Sequence, residues 1–316
     1  MIAGTRSTPP SLKGRRRPVE RGIVVALFLA GAVSIAITIG ILWELGKESL
    51  LFFQDERVSF WDFITKTEWL PQAGSFGIWP LVLGTMLITI IALFVAVPVG
   101  LASAIYLSEY ASRRTRGILK PILEILVGIP TVVFGFFAVT FMTPLLRTIF
   151  GASRVGFFNV LSAGIVVGFL IVPLISSLAE DAMAAVPDSL RQAAYGLGAS
   201  RLEVSLRVVF PAALSGIAAG VVVAMSRAVG ETMVVTLAAG ASPRNFSWTD
   251  PAAMFDPFTG AQTMTGYVAI TANGDLSYNT IDYNSIFAIG LTLFVITLVL
   301  NSLSRRIVRR FRQEYE

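Results

Sequence analysis

The sequence predicts an all-α integral membrane protein with six transmembrane helices, and three observations support this fold class. First, 54% of the 316 residues are hydrophobic and only 14% are charged, whereas a soluble domain has about 25% charged residues. Second, six apolar runs are long enough to cross a hydrocarbon core of roughly 30 Å as helices, and too long for the strands of a membrane barrel. Third, Lys and Arg are concentrated in only some of the loops, as the positive-inside rule predicts for a multi-pass protein.

The six apolar runs are the predicted spans. Only the third and the fifth contain charged residues: Glu124 lies near the start of the third, and Arg227 and Glu231 lie near the middle of the fifth. Since a charge near the end of a span reaches water easily, we expect Glu124 to be structural. In chain order the predicted spans are 22–42, 79–107, 121–146, 155–178, 212–240 and 285–303.

The charged loops predict the orientation of the chain. The N-terminal tail, the loop at 108–120 and the C-terminal tail are rich in Arg and Lys, whereas the loops at about 43–78 and 241–284 contain more acidic than basic residues. Because basic loops remain in the cytoplasm, both termini are predicted to be cytoplasmic in a multi-pass protein of the inner membrane. The net charge of +5 therefore reflects orientation in lipid, and nucleic-acid binding is not expected.

One membrane domain at 19–310 is predicted, between a disordered basic tail at 1–18 and a short cytoplasmic tail at 311–316. The first apolar run continues to Leu42, well beyond the roughly 7–15 apolar residues of a signal peptide. We therefore expect an uncleaved membrane anchor.

This chain contains few of the side chains and motifs that enzymes use for catalysis. Cysteine and histidine are both absent, which excludes disulfides, thiol nucleophiles, imidazole catalysis and Cys/His metal sites. The nearest approach to a phosphate-binding P-loop, Gly46-Lys47-Glu48, lacks the hydroxyl residue that follows Lys in that motif. The chain is therefore not expected to be an enzyme, to hold a cofactor or metal, or to hydrolyse ATP itself.

The polar loop at about 180–211 is predicted to contain two short helices. Residues 189–192 and 200–203 each fit the S-x-x-E/Q capping box, in which two side chains satisfy each other's backbone amides. Gly196 and Gly198 lie between them, where the first helix should end. Taken alone, these features fit an ordinary helical hairpin between two spans as well as they fit a docking surface.

This loop resembles a motif of binding-protein-dependent ABC import permeases. The family spacing is E-A-A-x3-G-x9-I-x-L-P. This chain matches it with Gln192-Ala193-Ala194, then Gly198 after three residues, then 208–211 after nine more, ending in Pro211. Gln, Val and Phe stand in place of Glu, Ile and Leu. The resemblance implies a type I ABC importer permease fold. It also implies that this loop is a cytoplasmic coupling helix that docks on a separate ATPase, which binds ATP and Mg.

Arg227 and Glu231 are the candidate residues of the solute path. Four residues apart, they would share one face of a helix and could pair. Each costs at least ~2.5 kcal/mol at the bilayer centre, so both should face protein or a water-filled path. Two interpretations remain open from physics alone: an ion pair that locks helix packing, or a guanidinium that binds an oxyanion while Glu231 tunes it.

A second resemblance favours the oxyanion. Residues 226–233 (Ser-Arg-Ala-Val-Gly-Glu-Thr-Met) are similar to the signature span of phosphate-importer permeases. Their C-type (PstC-like) subunit is resembled by residues 67–69, 76–81, 84–85, 96–110 and 126–135. The resemblance implies a homologous second permease subunit (PstA-like), a cytoplasmic ATPase dimer and an extracytoplasmic phosphate-binding protein as partners, besides membrane lipid. An importer of molybdate, sulfate or an amino acid remains the alternative, and a membrane-embedded enzyme is disfavoured.

Overall fold

The computed structural model describes residues 18–247, 250–274, 277 and 280–310, in two compact units that divide after Lys47. The predicted tails at 1–18 and 311–316 lie outside these residues, apart from Pro18, at which the first helix begins. The helices are α1 (Pro18–Gln54), α2 (Phe60–Thr65), α3 (Trp79–Ile105), α4 (Arg113–Val127), α5 (Thr131–Phe137), α6 (Thr143–Phe150), α7 (Val160–Ala184), α8 (Asp188–Gly196), α9 (Arg201–Val204), α10 (Phe210–Val229), α11 (Met233–Ala238), α12 (Met264–Ala272) and α13 (Ile281–Arg310), and two short strands, β1 (Trp69–Leu70) and β2 (Ser75–Phe76), form a hairpin.

The first compact unit contains the part of α1 that ends at Lys47. Large apolar side chains of this helix between Ile23 and Ile41 are more than half exposed. A helix that is apolar on all sides and is not buried by protein fits a lipid-facing span.

Within the described residues, six helical segments are long and apolar enough to cross a membrane, which confirms the predicted number. They are Glu20–Gln54, Trp79–Tyr110, Thr131–Phe150, Val160–Ala184, Arg201–Val229 and Ile281–Arg306.

The first, third and fifth spans differ from their predicted limits. The first continues from its predicted end at Leu42 to Gln54, so the predicted loop at 43–78 begins with helix. The third begins at Thr131 rather than at 121, because Pro130 lacks an N–H and disfavours helical backbone in the residue before it. Helix α4, which includes Glu124, is therefore a separate amphipathic helix. The fifth span runs from Arg201 to Val229 instead of 212–240, so the end of the predicted coupling loop is part of the same continuous helix.

In the part of the chain that the structure describes, three π turns belong to the long helices, at Tyr106–Tyr110, where the second span ends, and within spans at Ala138–Met142 and Ser205–Val209. Two of them end two residues before a proline, Pro144 or Pro211. A proline donates no backbone hydrogen bond, and its ring crowds the carbonyl four residues earlier. The wider turn accommodates this ring without ending the span.

Helices α3, α7 and α10 pack closely because glycines remove side chains from their interfaces. A Cβ atom at Gly168 of α7 would lie 3.0 Å from the carbonyl oxygen of Ala92 in α3, and one at Gly164 would lie 2.6 Å from another α3 side chain. At the α7–α10 interface, a Cβ at Gly216 would lie 2.5 Å from that of Ala182. Small residues that let backbones approach are the usual basis of helix packing in lipid.

The bundle end at which α3 begins is closed by an aromatic cluster and a hydrogen-bonded loop. Trp69 of β1 is fully buried, and its ring centroid lies 5.0 Å from that of Tyr267 in α12. The guanidinium of Arg244 donates to the carbonyl oxygens of Met254 (2.8 Å) and Asp256 (2.9 Å). Burial lowers the pKa of Arg244, and these carbonyl contacts fold the long loop between α11 and α12 onto itself. The N–H of Trp69 donates to Asn245 Oδ1 (2.8 Å), which connects this loop to the β1–β2 hairpin.

Candidate functional site

The loop between α7 and α10 contains two short helices, α8 and α9, as the sequence predicts. The second capping box is confirmed: Ser200 Oγ accepts from the Glu203 N–H (3.3 Å), and Glu203 Oε2 accepts from the Ser200 N–H (2.9 Å). The first is wrong. Helix α8 begins at Asp188, so Ser189 lies inside it, and Pro187 at the N-cap position makes no side-chain hydrogen bond.

Gly198 ends α8 in the conformation that favours glycine. Its φ is +84°, a region in which a Cβ atom is sterically unfavourable. The N–H of Gly198 donates to the carbonyl of Tyr195 (2.9 Å), and the N–H of Ala199 donates to that of Ala194 (3.1 Å). These are the two hydrogen bonds of a Schellman motif, which satisfies carbonyls left free at a helix end.

An exposed surface surrounds this turn. Gln192, Ala193 and Gly198 are exposed, and a Cβ atom at Gly198 would meet no atom within 4 Å. Leu197 is 90% exposed and Leu202 is 57% exposed. Exposed leucines at a tight turn beside small residues form a surface that suits protein docking. We call the surface formed by residues 192–202 the α8–α9 surface.

Two of the predicted coupling residues do not belong to the open part of this surface. Ala194 is half-buried and packs against a hydrophobic cluster that includes Met183, Val204 and Val209. Pro211 lies in the first turn of α10, after the π turn. Their positions indicate that Ala194 anchors α8 to the bundle and that Pro211 shapes the start of α10.

A charged cluster, which the sequence analysis missed, joins α4 to the end of α7 near this surface. Glu180 is fully buried, and its carboxylate pairs with Arg116 and with the ammonium of Lys120 (Nζ–Oε2 2.7 Å). Lys120 also pairs with Asp181. Burial alone would lower the pKa of Lys120, but hydrogen bonds to Asp181 and Glu180 outweigh it and raise the pKa. Sequence reasoning could not find these partners because Lys120 and Glu180 are 60 positions apart.

The structure places Arg227 and Glu231 on different elements. Arg227 lies in the last turn of α10, whereas Glu231 lies in the break that follows Gly230. The Glu231 side chain is buried, and its Oε1 accepts from the N–H of Val234 in α11 (3.4 Å). The hydroxyl of Thr265 donates to the Glu231 carbonyl (2.7 Å), which ties the break to α12.

The predicted pairing of Arg227 with Glu231 is therefore absent from this conformation. Arg227 is exposed, and its side chain makes no hydrogen bond or ion pair with any other residue that the structure describes. The neighbouring Ser226 hydroxyl donates to Asn301 of α13 (2.5 Å), so the helix that holds Arg227 is fixed while its guanidinium remains free. The prediction of one shared helix face fails because Gly230 ends α10 between the two residues.

Comparisons with known proteins agree on one family. The family described as "Binding-protein-dependent transport system inner membrane component" matches residues 96–313. Among similar proteins, a "Probable ABC transporter permease protein YqgH" of Bacillus subtilis is 33% identical over 95% of this chain and 94% of its own length. Phosphate transport system permease proteins PstC are 29% identical in Mesorhizobium japonicum, over 95% of both chains, and 31% identical in Xylella fastidiosa, over 92% of this chain and 89% of the relative.

Solved structures show the same fold. A bacterial ABC transporter involved in the import of the acidic polysaccharide alginate matches 92% of this chain and 99% of the solved chain, with a TM-score of 0.59 and 17% identity. The MetNI methionine ABC transporter, in an inward-facing conformation, matches 75% of this chain and 95% of the solved chain, with a TM-score of 0.51 and 18% identity. The predicted ABC importer permease fold is thereby confirmed.

Proposed function

This chain belongs to the family of binding-protein-dependent transport system inner membrane components, and we propose that the solute it helps to import is inorganic phosphate. As a permease subunit of an ABC importer, it is a multi-pass inner-membrane protein that works with another permease subunit and with ATPase subunits. Similarity to PstC proteins over nearly the whole chain supports the C-type role.

The unpaired guanidinium of Arg227 is the single observation that supports phosphate most strongly. Phosphate has between one and two negative charges at neutral pH, and moving it into hydrocarbon without a partner is prohibitive. Arg227 lies in a membrane span with its side chain exposed and free of partners among the described residues. Because an arginine facing lipid is costly, this one faces a solute path, where its planar donors bind an oxyanion.

Glu231 tunes this site rather than binding the anion. In the present conformation its carboxylate is held at the start of α11, so it leaves Arg227 available. A conformation in which the break closes brings the carboxylate to the guanidinium and releases the anion. Transport requires such weakening, because a site that binds too tightly retains its ion.

The α8–α9 surface receives the force that drives transport. Gln192, Ala193 and Gly198 dock on a cytoplasmic ATPase dimer, which binds ATP and Mg, while Ala194 and Pro211 position that surface. The other proposed partners are a PstA-like second permease subunit, which lines the remainder of the path, and an extracytoplasmic phosphate-binding protein. Both termini and the α8–α9 surface are then cytoplasmic, in line with the basic charge of the loop at 108–120.

Uptake of labelled phosphate by the complete complex tests this proposal. Arg227→Gln should lower the initial rate about 10- to 100-fold at matched membrane abundance, since a hydrogen bond to a charged group contributes about 1.5–3 kcal/mol. Arg114→Gln is the matched control, because Arg114 is exposed on α4 outside the spans, and it should transport normally. Uptake of sulfate, molybdate or an amino acid in place of phosphate would contradict the proposed solute. Normal phosphate uptake by Arg227→Gln would exclude Arg227 from the path.

A further inference from the structure

One guanidinium joins three elements at the base of the α8–α9 surface. Arg191 of α8 donates from Nη2 to Glu109 Oε1 (3.1 Å) and to the carbonyl oxygen of Met183 (2.8 Å), and from Nη1 to the carbonyl oxygen of Val186 (2.6 Å). Glu109 lies in the π turn that ends the second span, and Met183 lies at the end of α7. The side chains of Arg191 and Glu109 are only 15% and 6% exposed.

These contacts fix the relative positions of the Arg191 guanidinium and the Glu109 carboxylate. The Arg191 guanidinium adds a donor to the Met183 carbonyl, which also accepts from the N–H of Val186 (3.2 Å), and it donates to the Val186 carbonyl just after α7. Ser108 Oγ donates to Glu109 Oε1 (2.9 Å), which orients the carboxylate, and the N–H of Ala111 closes the π turn on the carbonyl of Tyr106 (2.8 Å). Truncating one partner of a buried charge pair leaves the other unpaired and is costly.

We infer that Glu109 is a positioning residue, which acts through Arg191 to fasten the coupling helix α8 to the second span. This inference rests on the proposed coupling role of the α8–α9 surface. The chain itself connects α8 to α7 through residues 185–187, but α3 and its π turn are remote in sequence. The Glu109–Arg191 pair supplies an ionic connection to that span, so a displacement of α8 reaches α3 as well as α7.

The packing of the spans explains why this connection matters. Helices α3 and α7 are held together at Gly164 and Gly168, and α7 and α10 at Gly216. A displacement delivered to both α3 and α7 moves these helices together, whereas one delivered to α7 alone strains their interface. Arg227 lies at the end of α10, so this group of helices joins the α8–α9 surface to the proposed phosphate site.

Asp188 provides a matched control, because it contacts the same guanidinium without linking α8 to another element. Its Oδ1 accepts from Arg191 Nη1 at 3.2 Å, from three residues earlier in the same helix. The Asp188 side chain is 85% exposed, and an exposed pair of this kind contributes little. Asp188→Asn and Glu109→Gln therefore each remove one carboxylate charge that pairs with Arg191, but only Glu109 links α8 to another element.

The experiment compares these variants in the complete importer, with ATPase and binding protein, reconstituted in liposomes. Glu109→Gln should raise the ATP hydrolysed per phosphate imported by about 10-fold or more, because about 10-fold is the lower end of the effect of weakening a hydrogen bond between charged groups. Complex yield and total ATP hydrolysis should stay within about twofold of wild type, and Asp188→Asn should keep the wild-type ratio. A merely structural role of Glu109 would lower the yield and leave the ratio unchanged.

A second readout does not depend on the identity of the solute. Amide hydrogen exchange in residues 188–197 of the assembled complex should be about 10-fold faster in Glu109→Gln than in Asp188→Asn, since local opening follows the loss of anchoring contacts. If the wild-type complex imports no phosphate, the proposed solute is wrong. The comparison of amide exchange in the two variants then still tests whether Glu109 fastens α8 to the second span. Equal exchange in the two variants, or a wild-type ATP-to-phosphate ratio in Glu109→Gln, would overturn the inference.

Discussion

The α3–α7 interface and the α8–α9 turn both depend on glycine, for opposite physical reasons. At Gly168 the space is tight: a Cβ atom would lie 3.0 Å from a backbone oxygen of α3. At Gly198 there is open space within 4 Å, and the backbone itself favours glycine, with a φ of +84°. The difference separates the two tasks of this chain. Tight packing joins α3 to α7, whereas the open turn leaves a surface exposed on which the ATPase is proposed to dock.

The largest effect is expected from filling the packed interface. Gly168→Val would press two methyl groups toward the α3 backbone, and overpacking of this kind destabilises by about 1–3 kcal/mol. The free energy of unfolding and the membrane abundance should both fall. Gly117→Val is the control, since a Cβ atom at that position of α4 meets nothing within 4 Å. Equal stability of the two variants would show that the α3–α7 interface is not tightly packed.

A change at the open turn should instead impair function with the bundle intact. Gly198→Glu places bulk and charge where the ATPase is proposed to dock, so uptake should fall about 10-fold or more, the loss expected when a charge is desolvated at an interface. Abundance should change little, because the strain of a side chain at positive φ is only about 1–2 kcal/mol.

Gly74→Glu separates backbone strain from docking. Gly74 has a φ of +70° and open space around it, and it lies in the β1–β2 hairpin at the other end of the bundle. Its substitution should cause similar strain without loss of ATPase docking. If both glutamate variants transport equally well, the α8–α9 surface is not the docking site.

Local patterns predicted the parts of the fold that local physics determines. The six spans follow from the length of apolar runs, and the turn around Gly198 follows from its glycine and from the capping box that begins at Ser200. Hydropathy could not separate α4 from the third span, because apolar residues continue across Pro130 and the break depends on backbone geometry.

The candidate site was less predictable, since its contacts depend on elements that are remote in sequence. The spacing of Arg227 and Glu231 suggests an ion pair only if the helix continues, and Gly230 ends it. Glu109 and Arg191 are 82 positions apart, so no local pattern could bring them together. The sequence pointed to Arg227, Glu231 and the loop that contains the α8–α9 surface, but not to the buried Glu109–Arg191 pair at the base of that surface.

Phosphate uptake by the Arg227→Gln, Glu231→Gln double variant, at matched membrane abundance, tests the central claim most directly. If Arg227 binds the anion, the double variant should be as inactive as Arg227→Gln alone, because removing the carboxylate cannot replace the guanidinium. If the two residues instead form a packing ion pair in another conformation, neutralising both removes the unpaired charge that either single change leaves. Near-normal uptake by the double variant would therefore contradict the proposed role of Arg227 in the phosphate path.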